Sequence, residues 1–322
     1  MSWYDREYKY SFIQKFALNV LKQGVLPKHV AFIMDGNRRF AANRGLLKSE
    51  GHRYGFSKLT ETITWCHDLG ITEVSVYAFS IENFKRPESE VNFLMNLAAE
   101  KFQEFIDKND ELTERGVCVR VIGNLSLLPP VVRRLAAQVM LLTRHNTKAT
   151  LNILLAYATR DELTHAAESI RLGVQEGVLL ESDISPDVIS RCCYLRASQP
   201  VDIIVRTSGE VRLSDFMVWQ AVESSAVFYF FKTFWPTFTF WHLAAAILRF
   251  QFNRMVLRTP SDSSATHTPN NVPYFDSMGK SNFGTAKRLT AFFDLVEERE
   301  LSTLQNHANS SHPLGSDDRT DQ

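Results

Sequence analysis

Short runs of continuous apolar residues alternate with longer stretches of helical spacing from residue 29 to residue 250, and this alternation restricts the fold more than any other feature of the chain. Runs such as Val30-Ala-Phe-Ile-Met34 and Leu151-Asn-Ile-Leu-Leu-Ala156 lack the in-and-out pattern of a half-exposed strand. They read as strands covered on both faces. Strands are predicted at 29–34, 73–79, 117–122, 151–157, 202–205 and 226–230, with helices in the intervals. The expected fold class is therefore α/β: a single open, mostly parallel six-stranded sheet flanked by helices. In such a sheet ligands gather outside the carboxyl ends of the strands. Polar residues just after a strand are where chemistry is to be sought.

The longest helical pattern, 88–114, sets Val91, Leu94, Met95, Ala98, Phe102 and Phe105 at three-to-four spacing and stops at Gly116. Residues 1–26 read as an N-terminal amphipathic helix with Trp3, Tyr4, Tyr8, Phe12, Ile13, Phe16 and Leu21. That pattern serves equally a helix packed on its own domain and one lying on a bilayer surface. Residues 258–285 are rich in Ser, Thr, Asn and Pro and read as a linker. Helical spacing returns at 286–304, either as a docking helix for a partner or as an isolated one. The expected division is thus 1–26, a principal domain at 27–257, and a linker with a variable tail at 258–322.

Lys plus Arg and Asp plus Glu number 36 each, so the chain has no overall field to collect nucleic acid, and no nucleic-acid partner is expected. Any anion site must be local. The four cysteines form no CxxC pair and no zinc spacing, which favours unpaired thiols in a reducing compartment. The first ten residues are charged and aromatic, with no cleavable apolar region after them, so a cytosolic setting is expected. The most apolar stretch, 216–250, is interrupted by Glu223, Lys232, Pro236 and His242, and no spanning helix is read there.

The first strand ends in Met34-Asp35-Gly36-Asn37-Arg38-Arg39, a carboxylate, a glycine and two guanidinium groups at the mouth of the sheet. Gly36 permits close backbone approach, and forked arginines suit phosphate. A carboxylate among them makes sense if a hard cation such as magnesium bridges it to phosphate oxygens. Taken alone, the segment is equally an Asp-Gly turn with solvated arginines. Lys48 and His52 follow closely. The second strand ends in Ser80-Ile-Glu-Asn83-Phe-Lys-Arg86, and the fifth runs into Arg206-Thr-Ser-Gly-Glu-Val-Arg212-Leu-Ser214. Three strand ends supply basic groups to one rim.

These residues also carry a resemblance. His29-Val-Ala-Phe-Ile-Met-Asp-Gly-Asn-Arg38-Arg39, Gly51-His52-Arg-Tyr-Gly55, Tyr77-Ala-Phe-Ser-Ile-Glu-Asn-Phe-Lys-Arg86 and the run from Asp202 to Ser214 closely resemble the signatures of the cis-prenyltransferases, the undecaprenyl diphosphate synthase-like family. The resemblance spans 27–251, includes Trp219-Gln220 and Trp235-Pro236, and is nearest to the eukaryotic, dolichol-forming branch. It implies a Mg2+-dependent enzyme that adds isopentenyl diphosphate to farnesyl diphosphate in successive cis condensations. The product would be a long-chain polyprenyl diphosphate, the dolichol precursor for protein glycosylation. By this resemblance Asp35 is catalytic and holds the magnesium, while Gly36, Asn37, Arg38, Arg39, Lys48, His52 and Ser80 cradle the allylic diphosphate. Arg86, Arg206, Arg212 and Ser214 would bind isopentenyl diphosphate, and Asn83 would assist proton removal. Lys48 stands where bacterial members carry arginine and offers no fork.

Two departures from the homodimeric bacterial pattern imply a partner. Ser225 occupies the place of a second metal-site glutamate, and Glu223 lies about 200° away round a helix. No Arg-x-Gly follows Phe250, although that motif completes the partner's site in bacterial enzymes. The resemblance therefore implies a heteromer with a Nogo-B-receptor-like accessory subunit, held peripherally on the cytosolic face of the endoplasmic reticulum membrane. Competing readings are the non-catalytic subunit of the same complex, a membrane-surface protein built on 1–26, and a phosphatase with Asp35 as nucleophile. The last lacks the usual second acid, because Asn37 stands two residues on.

Overall fold

Strands β1 (His29–Ile33), β2 (Glu73–Ser80), β3 (Val117–Ile122), β4 (Ala149–Tyr157), β5 (Ile203–Arg206) and β6 (Val227–Phe230) lie in the order β3-β4-β2-β1-β5-β6, and every pairing is parallel. The structure is a computed structural model that describes residues 8–256 and 283–310. Its helices are α1 (Phe12–Leu21), α2 (Asn37–Asn43), α3 (Lys48–Leu69), α4 (Glu88–Asp107), α5 (Asn109–Arg115), α6 (Pro130–Thr143), α7 (Thr159–Gln175), α8 (Pro186–Cys192), α9 (Val218–Glu223), α10 (Phe240–Val256) and α11 (Phe283–Asn309). The fold is the expected one, a single parallel six-stranded sheet flanked by helices, and each strand boundary falls within two residues of its predicted place.

Burial on both faces explains the continuous apolar runs. Val30 and Phe32 of β1 join Val74, Val76, Trp65 and Phe102 beneath α3, α4 and α10. Ala31 and Ile33 face the other way, toward Leu154, Ile204 and Phe216. Each large side chain so buried contributes about 1.5–3 kcal/mol. A buried polar chain ties the amino ends of the strands: His29 bonds to Ser75 Oγ and to the Gln199 carbonyl, each at 2.7 Å, and Asn152 Nδ2 donates to Glu73 at 2.6 Å. These bonds leave the sheet little freedom to slip, so the opposite ends of β1, β2 and β5 emerge side by side.

The helical pattern at 88–114 is two helices rather than one. Lys108 adopts φ −108° and ψ 25°, and α5 restarts at Asn109-Asp110, where short polar side chains compete with helical hydrogen bonding. The pattern at 286–304 is part of α11, which is longer and packs on its own domain. Leu289, Phe292 and Val296 are buried with Ile170 and Val188 of α7 and α8. In α1, Leu21 is buried and Leu18 packs on the core, whereas Phe12, Ile13 and Phe16 are 84%, 65% and 64% exposed. The segment thus packs by one face and leaves an apolar face open. Trp3, Tyr4 and residues 258–282 of the predicted linker lie outside the described residues, while its last three residues, 283–285, already belong to α11.

All four cysteines are buried and unpaired, and burial raises the pKa of each thiol. Among the described residues no helix is long and apolar enough to cross a membrane.

Candidate active site

Asp35 leaves β1 with its backbone fixed from β5. Thr207 Oγ1 donates to the Asp35 carbonyl at 2.7 Å and accepts from the Asp35 amide at 3.1 Å. The Trp235 amide donates to the same carbonyl at 2.9 Å, and its indole Nε1 donates to Gly55 O at 2.7 Å. The Trp-Pro pair therefore clips α3 to the end of β1. Gly36 follows at φ 102°, and a Cβ there would meet Phe234 and Ser208 Oγ within 3 Å. Only glycine fits this turn without strain.

The Asp35 carboxylate accepts from Arg206 Nη2 at 2.9 Å and lies 3.5 Å from Arg39 Nη2. Arg206, 4% exposed, also donates through Nη1 to Ser214 Oγ at 2.8 Å and to the Arg212 carbonyl. Glu210 joins the group, pairing with Arg39 at 3.4 Å and with Arg212. One cluster thus gathers Asp35, Arg39, Arg206, Glu210, Arg212 and Ser214.

A second cluster is built round Glu90, at the start of α4. Its carboxylate accepts from Arg86 Nη1 at 3.0 Å and faces His52 Nε2 at 3.6 Å and Arg38 Nε at 3.8 Å. Burial lowers the pKa of His52 and outweighs the attraction of Glu90, so the imidazole is neutral near pH 7. Burial and then Arg38 also lower the pKa of Arg86. Among the described residues, His52 Nε2 and Glu90 Oε2 are buried without a hydrogen-bond partner, as are Arg206 Nε of the first cluster and the nearby Ser208 Oγ. Buried polar atoms of this kind normally find partners, and a polyanion at the rim would supply acceptors for the donors among them.

The structure sorts the candidates differently from the sequence. Arg38 and Arg39 part company, one toward Glu90 and the other toward Asp35 and Glu210, while Arg86 sits with Arg38 and His52 rather than with Arg206. Glu90 and Glu210 were missed, so the cations are less naked than their sequence implies. An acid four residues after Arg86, in the first turn of α4, was the available signal, although Arg86 itself is extended and precedes the helix. Ser80 and Asn83 cap a short 3₁₀ turn, Ile81–Lys85: Ser80 Oγ accepts from the Glu82 amide and Asn83 Oδ1 from the Ser80 amide. Asn83 Nδ2 has no hydrogen-bond partner among the described residues. Lys48 opens α3, is exposed, and makes no side-chain bond or ion pair among the described residues. Glu223 reaches Ser190 on α8, and Ser225 sits at φ 54° beyond the end of α9.

Asn37 anchors α2 against α3 where Gly51 allows close approach. A Cβ on Gly51 would stand 2.4 Å from the Asn37 carbonyl oxygen. Gly51→Ala is expected to force α2 outward and to cost about 1–3 kcal/mol, read as a lower urea midpoint. An unchanged midpoint would show that the helices part freely.

Beside Asn37 and His52 opens an apolar cavity of about 120 Å³ between α3, α4 and the sheet, walled by Phe56, Leu59, Leu94, Ala98, Phe102 and Trp235. A second, of about 90 Å³, lies toward the amino ends of the strands, walled by Ile63, Ile71, Val74, Phe105, Leu112 and Val117. A polar rim therefore leads into hydrocarbon. Among the described residues no three His, Cys, Asp or Glu side chains gather as a metal cage. Asp35, a hard oxygen donor 30% exposed at the rim, fits magnesium in the manner where substrate diphosphate oxygens complete the shell.

The sequence profile of a family described as "Putative undecaprenyl diphosphate synthase" matches residues 33–256. The chain belongs to this family. It is a cis-prenyltransferase. A dehydrodolichyl diphosphate synthase complex subunit of Homo sapiens is 48% identical over 265 residues, covering 82% of this chain and 79% of that one. A tritrans,polycis-undecaprenyl-diphosphate synthase (geranylgeranyl-diphosphate specific) of Pyrococcus furiosus is 42% identical over 229 residues, 71% of this chain and 86% of the other. Among solved structures, the lavandulyl diphosphate synthase of Lavandula x intermedia, in complex with dimethylallyl diphosphate, superposes with a TM-score of 0.65 at 29% identity. It covers 70% of this cis-prenyltransferase and 95% of its own chain.

Proposed function

We propose that this cis-prenyltransferase is the catalytic subunit of a dehydrodolichyl diphosphate synthase. It extends farnesyl diphosphate with isopentenyl diphosphate, with magnesium as cofactor, to a long-chain polyprenyl diphosphate that serves as dolichol precursor. The observation that carries the reading is the convergence of Arg38, Arg39, Arg86, Arg206 and Arg212 around Asp35, Glu90 and Glu210, beside an apolar cavity. Two diphosphates need several fixed cations, and the growing chain needs a greasy seat. Each isoprene unit transferred from water gains roughly 4 kcal/mol at ~0.8 kcal/mol per CH₂ equivalent.

In this reading Gly36, Asn37, Arg38, Arg39, Lys48, His52 and Ser80 receive the allylic diphosphate, and Arg86, Arg206, Arg212 and Ser214 receive isopentenyl diphosphate. As the allylic C–O bond breaks, negative charge grows on the departing diphosphate, and guanidinium groups already fixed by Glu90 and Glu210 stabilise it without reorganising. Magnesium, held by Asp35, supplies further positive charge to that leaving group when bound. The double bond of isopentenyl diphosphate attacks the allylic carbon to form the new C–C bond, and the adjacent carbon then gives up a proton to a diphosphate oxygen, with Asn83 assisting its removal.

A heteromer with a Nogo-B-receptor-like accessory subunit fits Ser225 and the missing Arg-x-Gly, and the human relative is itself named a complex subunit. The catalytic unit would be 27–257. The open apolar face of α1 suits peripheral contact with the cytosolic face of the endoplasmic reticulum membrane.

The test is incubation of the chain, alone and with the accessory subunit, with labelled isopentenyl diphosphate, farnesyl diphosphate and magnesium, followed by sizing of the lipid. Long products from the pair support the reading. No elongation in either arm overturns it, and full processivity from the chain alone removes the partner. Ala98→Phe, in the cavity wall, is expected to shorten the products. Overpacking there costs about 1–3 kcal/mol, enough to slow elongation past that point about tenfold. An unchanged length distribution would place the growing chain elsewhere.

A further inference from the structure

The loop between β5 and α9, residues 207–217, carries Arg212 and Ser214 on a backbone that L residues rarely adopt. Ser208, Ser214, Asp215 and Met217 have φ of 83°, 52°, 62° and 48°, beside Gly209 at 75°. Left-handed residues that carry a Cβ are strained and persist only where their surroundings over-determine them. The restraint comes from β2 and the junction of β4 with α7, through residues to which no site role is assigned above.

Thr159 is the centre of that restraint. Its Oγ1 donates to the Asp215 carbonyl at 3.1 Å and accepts from the Val218 amide at 3.0 Å, while its own amide donates to the same carbonyl at 2.9 Å. It is buried, and its Oγ1 lies 3.4 Å from the hydroxyl of Tyr157, which donates to the buried Glu162 at 2.6 Å. Glu162 in turn accepts from Gln220 Nε2 on α9 at 3.0 Å. Tyr77 stacks on Phe216 of the loop, with ring centroids 4.6 Å apart, and its hydroxyl lies 3.1 Å from the Tyr157 carbonyl and 3.3 Å from that of Ser214. Burial pushes the Tyr77 phenol up to about 12, so it remains a donor at any ordinary assay pH. From the inner side, Arg206 holds the Arg212 carbonyl and the Ser214 hydroxyl.

We propose that Thr159, assisted by Tyr77, is a positioning residue for isopentenyl diphosphate, holding the strained loop in the shape that presents Arg212 and Ser214 to that substrate's diphosphate. This rests on the substrate reading given above. Thr159 touches neither substrate and acts through the carbonyl of Asp215 and the start of α9.

Thr159→Val keeps the branch and the volume but removes the hydroxyl; Thr159→Ser keeps the hydroxyl; Tyr77→Phe keeps the ring stack alone. Each is assayed as full chain in the assembly in which the parent is active, with the two substrates varied separately and a thermal melt alongside. Thr159→Val is expected to raise KM for isopentenyl diphosphate about tenfold, or about 1.4 kcal/mol, the scale of one buried hydrogen bond. KM for farnesyl diphosphate should stay within about twofold, Thr159→Ser should restore most of the loss, and Tyr77→Phe should shift KM in the same direction. Equal rises in both KM values, losses that merely track a lower Tm, a serine variant as weak as the valine one, or an unchanged KM throughout would each overturn the proposal. If Thr159→Val does not fold, Tyr77→Phe decides the matter by the same criteria. A parent protein that consumes no isopentenyl diphosphate would fail at the first step and overturn the substrate reading together with this proposal.

Discussion

Arg206→Leu is expected to lose at least about a hundredfold in isopentenyl diphosphate incorporation and to melt at a lower temperature. One guanidinium bridges three acceptors on two strand ends: Asp35 Oδ2, Ser214 Oγ and the Arg212 carbonyl. Leucine fills the space and satisfies none of them. Breaking a fully buried ion pair costs about 3–5 kcal/mol. Asp35, however, is 30% exposed and can be rehydrated, so the stability cost should be nearer 2–3 kcal/mol. Loss of the guanidinium that, in the proposed reading, holds isopentenyl diphosphate and that fixes Asp35, Arg212 and Ser214 accounts for roughly 10² or more in rate, at about 1.5–3 kcal/mol for each charged hydrogen bond. Arg206→Lys separates the two effects. It restores charge but not the fork, so stability should recover more than activity does. Calorimetry and the incorporation assay read the two quantities independently, and a leucine variant within tenfold of the parent would remove Arg206 from the site.

The sheet was legible because parallel strands buried on both faces leave unbroken apolar runs, as in β1 and β4, whose placement needs only burial and length. The break at Lys108 was not, since Phe105 and Leu112 keep helical spacing across it and the apolar pattern is blind to a backbone excursion on the polar side. Nor was the docking of α11: Leu289, Phe292 and Val296 form the same stripe whether the helix covers its own domain or another chain. At the site the residue types were readable and their pairing was not. Arg38 and Arg39 are adjacent in sequence, but successive residues on α2 point about 100° apart, which sends one to Glu90 and the other to Glu210. Which acid neutralises which cation is decided by the crossing of α2, α3 and α4, information that no short motif contains. Nor is it rotation round a helix that separates Glu223 from Ser225: Glu223 ends α9 and bonds to Ser190, whereas Ser225 lies beyond the helix at φ 54°.

Asp35→Asn is expected to lower kcat by about 10³-fold, at the upper end of what one preorganised electrostatic group contributes, while leaving the fold in place. The amide is isosteric, its oxygen can still accept from Arg206, and the backbone bonds to Thr207 and Trp235 do not involve the side chain. The charge alone is removed. If Asp35 acts by holding magnesium against the leaving diphosphate, the loss falls on turnover. The farnesyl diphosphate KM should not rise, because Arg39 loses a competing carboxylate and keeps its full charge for the substrate. A variant whose KM rises tenfold at unchanged kcat would instead make Asp35 a ground-state binding group. The same variant addresses the phosphatase reading: an aspartyl nucleophile would lose magnesium-dependent phosphate release, whereas a prenyltransferase has none to lose. Substitution of Asp35 thus tests both what the carboxylate does and which reaction the rim of arginines serves.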